Sequence, residues 1–315
     1  MTRPVIKHFW QCYPGRWVGI LLFSALCNGG FLSQAETVRV ASISFVPKKF
    51  ALDSNVLRLK GFFRDAAQKG AQIALAPEGA LEGYVVNEII AGDASSERMR
   101  AVAVEIDGPV IQGFQDLAKE LEMCLAFGFA ESIGNEVFNA AVFIDHEGRI
   151  SGKYHKMQFH EGYHPDWWFN RLGKVSRAFD TPFGRCGFMI CNDRWNPSLA
   201  AIPCLDGAQF LLIPAYGSTS KAQDEAVMAR GLENRVPVIE ANVGVRLIVN
   251  HKGEVAAVDR ALEGVTVASL EIPQSREVRS GDRDAVETDF KTWREAEMGR
   301  RFRATMKRLA KKRDD

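Results

Sequence analysis

Short apolar runs rich in β-branched residues alternate with helix-period stretches from Thr37 to Asn250, and that alternation restricts the chain to an α/β fold. TVRVASISF (37–45) predicts a first strand. Val56, Leu59, Phe63 and Ala66 then recur at spacings of three and four, which predicts an amphipathic helix with Ser54 as its cap and Gly70 as its stop. AQIALA (Ala71 to Ala76) predicts a strand, Gly113 to Met123 a helix, and CLAFGFAES and VFNAAVFID two strands with Asn135 near the turn between them. Cys186 to Cys191, Ala208 to Ile213, Val236 to Asn242 and Val245 to Asn250 continue the pattern. No linker or composition break interrupts it, and there is no internal repeat, so residues 36–284 are expected to form one domain.

Three of these runs end in residues that carry chemistry. GFMICNDRW delivers Cys191 where an apolar strand breaks into polar, turn-prone Asn192 and Asp193. AQIALA runs into Pro77 and Glu78, and NAAVFIDHEGRISGKY runs into Lys156. A thiol is the best intrinsic nucleophile among side chains, but it needs a base and a stabiliser for the charge it creates. A carboxylate such as Glu78 can take the thiol proton and pass it to a leaving amine. An ammonium such as Lys156 can hold a developing oxyanion, with the backbone N–H of Asn192 as a second donor. Each residue alone has an ordinary structural use as packing, turn or solvated charge; the combination is what signals a site.

IALAPEGALEGY, ISGKYHKMQF and GFMICNDRWNP, in that order, resemble the Glu, Lys and Cys blocks of the carbon-nitrogen hydrolase (nitrilase and amidase) superfamily, and ARGLENRVPVIEAN resembles the helix and strand that come after the Cys block. The resemblance implies a four-layer αββα sandwich, often dimerised through a helical face, with Glu78, Lys156 and Cys191 as the catalytic triad. The family pattern places the catalytic lysine second in KYxK, which selects Lys156 over Lys153. EGY at Glu161 resembles a segment in which a second glutamate positions the lysine and the substrate. CNDRW is closer to the CNDRR block of N-carbamoyl amino acid amidohydrolases than to the CWE block of nitrilases. These features predict a hydrolase that cleaves a small linear amide or N-carbamoyl compound through a Cys191 thioester, needing no cofactor or metal. A nitrilase and a catalytically silent binding protein of the same fold are the alternatives; a membrane-embedded acyltransferase lacks its extra spans here. Relatives often carry His two residues after the lysine, where this chain has Gln158. His155, His160 and His164 sit close in sequence but lack the helical HExxH frame of a zinc site. Trp167 and Trp168 read equally as pocket wall or core.

Charge excludes other classes. Forty Lys and Arg against 39 Asp and Glu give a net charge of +1, which offers no field for nucleic acid or an anionic membrane and suits a small-molecule substrate. Residues 1–35 read as a secretory signal: Arg3, Lys7 and Arg16 precede the apolar run Val18 to Leu26, and Ser33 and Ala35 supply small residues for cleavage. That run is too short to span a bilayer, so a periplasmic or secreted protein with no stable membrane insertion is expected. Cys124, Cys186 and Cys204 read as small buried apolar residues, although one bridge among them would suit an oxidising compartment. Residues 285–315 are expected to form a separate tail, whose GRRFRATMKRLAKKR (Gly299 to Arg313) predicts a basic helix that is solvated or packs on a partner.

Overall fold

The computed structural model describes residues 36–314; the expected signal segment, 1–35, lies outside the described residues. The chain opens with β1 (Glu36–Ser44), α1 (Leu52–Gln68) and β2 (Ile73–Leu75), followed by two short helices, α2 (Val86–Ala91) and α3 (Glu97–Arg100). Next come α4 (Pro109–Leu121), β3 (Cys124–Ile133), β4 (Glu136–Ile144) and β5 (Ile150–His155). The second half runs β6 (Phe179–Thr181), β7 (Gly184–Phe188), a 3₁₀ turn over Cys191–Trp195, α5 (Pro197–Leu205), β8 (Phe210–Ala215) and α6 (Lys221–Asn234). β9 (Val238–Asn242), β10 (Val245–Val249), β11 (Val255–Asp259), β12 (Gly264–Ile272) and α7 (Ser280–Asp314) complete it.

Two six-stranded sheets result, ordered β12-β1-β2-β3-β4-β5 and β11-β10-β9-β8-β7-β6. Each has three parallel strands at its centre and antiparallel strands outside them. Because side chains alternate along a strand, β1 divides its residues between two cores. Val38 and Val40 join the core containing Phe188, Phe210 and Leu212 of the other sheet, and Ser42 Oγ reaches across to the Glu240 carbonyl at 2.6 Å. Ala41 and Ile43 instead meet Leu59 and Phe63 of α1 and Ile111 and Phe114 of α4. α5 and α6 cover the second sheet, which makes the fold a four-layer αββα sandwich.

α1 starts at Leu52, two residues before Ser54, which therefore lies inside the helix rather than at its cap. Asn55 does the work expected of a cap by other means: its amide bonds both backbone groups of Lys48 and the Leu81 carbonyl, closing the preceding loop onto the helix. Gly70 ends α1 with φ +74°, as its lack of a Cβ allows.

The expected boundary at 284/285 falls inside α7, a 35-residue helix that begins at Ser280, packs on α5, and buries Glu287, Phe290, Met298 and Thr305 against its own chain. α7 also crosses the loop after β5. Gly162 there has φ +82°, and a Cβ on it would lie 2.0 Å from the Phe302 backbone nitrogen. Gly162→Ala is therefore expected to destabilise the protein by about 3 kcal/mol in denaturant unfolding, through overpacking and a strained backbone. A loss below about 0.5 kcal/mol would contradict the seating of α7 on this loop.

Candidate active site

The chemistry-bearing residues lie just past the C-terminal ends of strands from both sheets, where open α/β sheets place their binding crevices. Glu78 follows β2, Lys156 follows β5, and Cys191 opens the turn after β7. Glu78 and Lys156 are fully buried, and Lys156 Nζ donates to Glu78 Oε1 at 2.7 Å. Asn139 Nδ2 donates to the same oxygen at 2.6 Å, while the Tyr216 N–H donates to Glu78 Oε2 at 3.0 Å. The Tyr216 carbonyl faces Cys191 Sγ at 3.7 Å, so one residue's backbone in the second sheet touches both the carboxylate and the thiol. Backbone shape makes room for this. Gly128 lets β3 lie against Glu78, since a Cβ there would sit 2.6 Å from the Glu78 Cα. Cys191 itself has φ +47°, a left-handed conformation costly for a residue with a side chain and common at functional sites.

Lys153 and Lys156 part company because of strand alternation. Lys153 and His155 both point to the buried Glu131, at 2.6 and 2.5 Å, whereas Lys156 turns toward Glu78. Asp193 anchors the lysine loop to the cysteine turn: its carboxylate accepts from the Ile190 and Gln158 N–H groups, each at 2.9 Å, and from the Tyr154 hydroxyl at 2.8 Å. Gln158 Nε2 adds a bond to the Asn192 carbonyl at 3.1 Å. Gln158 therefore ties the two loops together.

Glu161 is buried near the site, but its Oε1 accepts from Asn170 Nδ2 at 3.0 Å, and Oε2 has no hydrogen-bond partner among the described residues. The electrostatics follow burial. Desolvation would lower the Lys156 ammonium, yet the surrounding negative groups, Glu78 first and then Cys191, Glu161 and Asp193, together outweigh it and hold the pKa above the usual lysine range. Burial, then Glu78, raise the Cys191 thiol, with Lys156 and Arg194 opposing. Burial likewise raises Glu161 against the pull of Lys156, and lifts Asp193 to about 6.

The thiol opens onto a cavity of about 440 Å³ lined by Tyr84, Asn87, His160, Trp195, Tyr216 and Ser218 among others. Tyr84 and Tyr216 stack at 5.6 Å, and Lys156 Nζ lies 5.5 Å from the Tyr84 ring centre. The three histidines separate: His155 meets Glu131, His160 lines this cavity, and His164 packs on Phe302. Trp167 and Trp168 are partly buried and pack against Phe169 and its neighbours, away from the Cys191 cavity. Cys124, Cys186 and Cys204 are buried free thiols.

Sequence patterns missed several contributors. Asn139 lies mid-strand, Tyr216 acts through its backbone, and Arg194 contacts Cys191 Sγ and pairs with Glu240 of β9.

Glu82, four residues past Glu78, supplies a pH test. Burial raises its pKa from 4.5 to about 7, against hydrogen bonds from backbone groups that include the Ala130 N–H. A carboxyl raised in the folded state holds its proton there while the unfolded chain has lost it, so this contribution falls as pH rises from 4.5 through 7. Glu82→Gln should remove that slope. Its stability relative to the parent is expected to rise by about 3 kcal/mol between about pH 4.5 and about pH 8; parallel pH profiles for the two proteins would contradict the assignment.

A two-sheet sandwich that gathers a carboxylate, an ammonium and a thiol at its strand ends, beside a small cavity, defines a hydrolytic enzyme. The Carbon-nitrogen hydrolase family profile matches residues 39–280, and the chain belongs to that family. It is similar to citrullinase from Francisella tularensis, with 26% identity over 71% of this chain and 86% of that protein. N-carbamoylputrescine amidase from Solanum lycopersicum is 31% identical over 67% of this chain and 68% of its own. Among solved structures, an amidase from Nesterenkonia sp. AN1 in complex with acrylamide superposes with a TM-score of 0.64 at 18% identity, covering 80% of this chain and 97% of that one. The likeness at that identity is one of fold.

Proposed function

We propose that the protein hydrolyses the carbon–nitrogen bond of a small linear amide or N-carbamoyl compound through a thioester on Cys191, with Glu78 as proton carrier and Lys156 as oxyanion donor. The observation that carries this reading is the Tyr216 backbone, which brings the Glu78 carboxylate and the Cys191 sulfur to a single point of the second sheet. Cys191 Sγ attacks the carbonyl carbon and its proton passes to Glu78. The carbonyl oxygen becomes an oxyanion held by the Lys156 ammonium and the Asn192 N–H. Collapse breaks the carbon–nitrogen bond, and the departing nitrogen takes the proton from Glu78. Water then gives a proton to Glu78 and its oxygen to the thioester carbon; the acid leaves and the thiol recovers its proton. Glu161 completes the charge balance around Lys156 through space. The cavity size suits a small substrate, and its Asn87, His160 and Ser218 offer hydrogen bonds to a polar tail. No step calls for a cofactor.

A panel of amides, N-carbamoyl compounds and nitriles, with intact-mass detection of a thioester, tests this. Amide or carbamoyl turnover with a Cys191 adduct is expected. Turnover of nitriles alone would replace the reading with that of a nitrilase, and neither turnover nor adduct would leave a silent binding protein.

We further propose that the protein is exported and homo-oligomeric. β1 starts at Glu36, so cleavage after Ala35 would leave the sandwich intact. Protein from the native host is expected to begin at Glu36, and an N-terminal sequence starting at Met1 would remove the claim. Light scattering of the mature protein reads the oligomer directly, with a monomer as the contrary result.

A further inference from the structure

The proposed relay leaves one buried charge beside the sulfur without a role. Arg194 is 1% exposed, and its Nη2 donates to Cys191 Sγ at 3.4 Å. On its other side the guanidinium pairs with Glu240 of β9, whose Oε1 also accepts from Gln223 Nε2 of α6 at 3.4 Å. Arg194 Nε and Glu240 Oε2 have no hydrogen-bond partner among the described residues. Burying an ion pair with unfilled donors and acceptors is a poor way to stabilise a fold, because desolvation offsets most of the attraction. A guanidinium is a strong, permanently charged donor for an anion placed against it.

We propose that Arg194 is a further catalytic residue, a donor to the Cys191 thiolate, with Glu240 as a positioning counter-ion that divides the guanidinium between itself and the sulfur. The inference rests on the thioester reading above and assigns a duty that Lys156 cannot discharge. Lys156 is committed to Glu78 at 2.7 Å and, during attack, to the oxyanion. When the thiol proton moves to Glu78, the electron pair left on sulfur faces the Arg194 N–H. When the thioester carbon–sulfur bond breaks, the same pair returns to sulfur and Arg194 holds it until Glu78 gives the proton back. Glu240 moderates this donor: a guanidinium fully given to the sulfur would stabilise the thiolate so well that its attack would slow.

The test reads the thiol rather than turnover, so it stands apart from the choice of substrate. Alkylation of Cys191 by iodoacetamide is followed by peptide mass across pH, with Cys191→Ala as the blank. Arg194→Met is expected to move the alkylation profile to higher pH and slow the reaction at about pH 7 roughly tenfold. Glu240→Gln is expected to move it to lower pH, because the guanidinium then serves the sulfur alone. Should Arg194→Met fail to fold with Glu240 unpaired, the double variant Arg194→Met/Glu240→Gln removes both charges and should show the high-pH profile without the Glu240→Gln shift. Shifts in opposite directions from the two single variants, or the high-pH profile in the double variant, support the proposal. An unmoved profile, or both single variants shifting the same way, assigns Arg194 to structure and overturns it. Absence of amide turnover with opposite alkylation shifts would instead overturn the hydrolytic reading and leave the thiolate assignment standing.

Discussion

Cys191→Ala is expected to lose at least about 10⁴-fold in kcat/KM on any amide that the parent protein turns over, and to show no covalent acyl adduct by intact mass. Removing the sulfur removes the atom placed to form the thioester. The remaining described thiols cannot substitute: Cys124, Cys186 and Cys204 are all buried, and burial pushes Cys124 and Cys204 up to about 12. None of the three lines the cavity that Cys191 opens onto. The loss should be chemical rather than structural, because Ala at 191 leaves the Glu78, Lys156 and Asn139 bonds untouched. The folded fraction measured by denaturant unfolding is therefore expected to stay near that of the parent. Residual turnover within about tenfold of the parent would place the nucleophile elsewhere.

Lys156→Met has the second largest expected effect, and it should act on activity and stability together. Loss of an oxyanion donor costs about 10²–10³ in kcat. The same change leaves the Glu78 carboxylate in a fully buried site with only neutral donors, Asn139 Nδ2 and the Tyr216 N–H. Breaking one side of a buried ion pair costs about 3–5 kcal/mol. Adding Glu78→Gln to Lys156→Met removes the stranded charge, so the double variant should recover most of the stability and none of the turnover. Unfolding curves and kcat/KM measured on the same preparations separate the two effects. Turnover restored in the double variant would overturn the roles given to both Lys156 and Glu78.

The candidate site is legible in the sequence where its residues sit at strand ends. The apolar runs before Glu78 and Cys191 stop where turn-forming residues begin, and a strand that stops at the rim of its sheet exposes the next few side chains to the crevice; the strand before Lys156, ISGKYH, is mostly polar, and there the family pattern carries the signal. The family pattern KYxK selects Lys156 over Lys153, and strand alternation in β5 is the structural reason, since Lys153 and His155 share the face that meets Glu131. The missing parts have no comparable local signature. Asn139 looks like any polar residue in β4, the Tyr216 contribution comes from its backbone, and the partner of Arg194 lies in β9, past α6 in the chain. Ser54 misled because a serine before an amphipathic run is a common cap, while the true start was set by Asn55 bonding back to Lys48. The basic C-terminal segment reads as a helix, and a helix it is, but its packing on its own chain is not legible: Phe290 and Met298 hold it to the sandwich and Gly162 admits its backbone.

Local sequence determined which segments become strands and helices, and which side chains stand ready at their ends, since period, turn chemistry and propensity act over a few residues. Tertiary structure alone decided that Glu78, Lys156, Cys191 and Arg194 meet, because their approach depends on the register of two sheets and on how closely glycines such as Gly128 let backbones pack. Such distances arise from packing summed over the whole core, and no stretch of a few residues contains them.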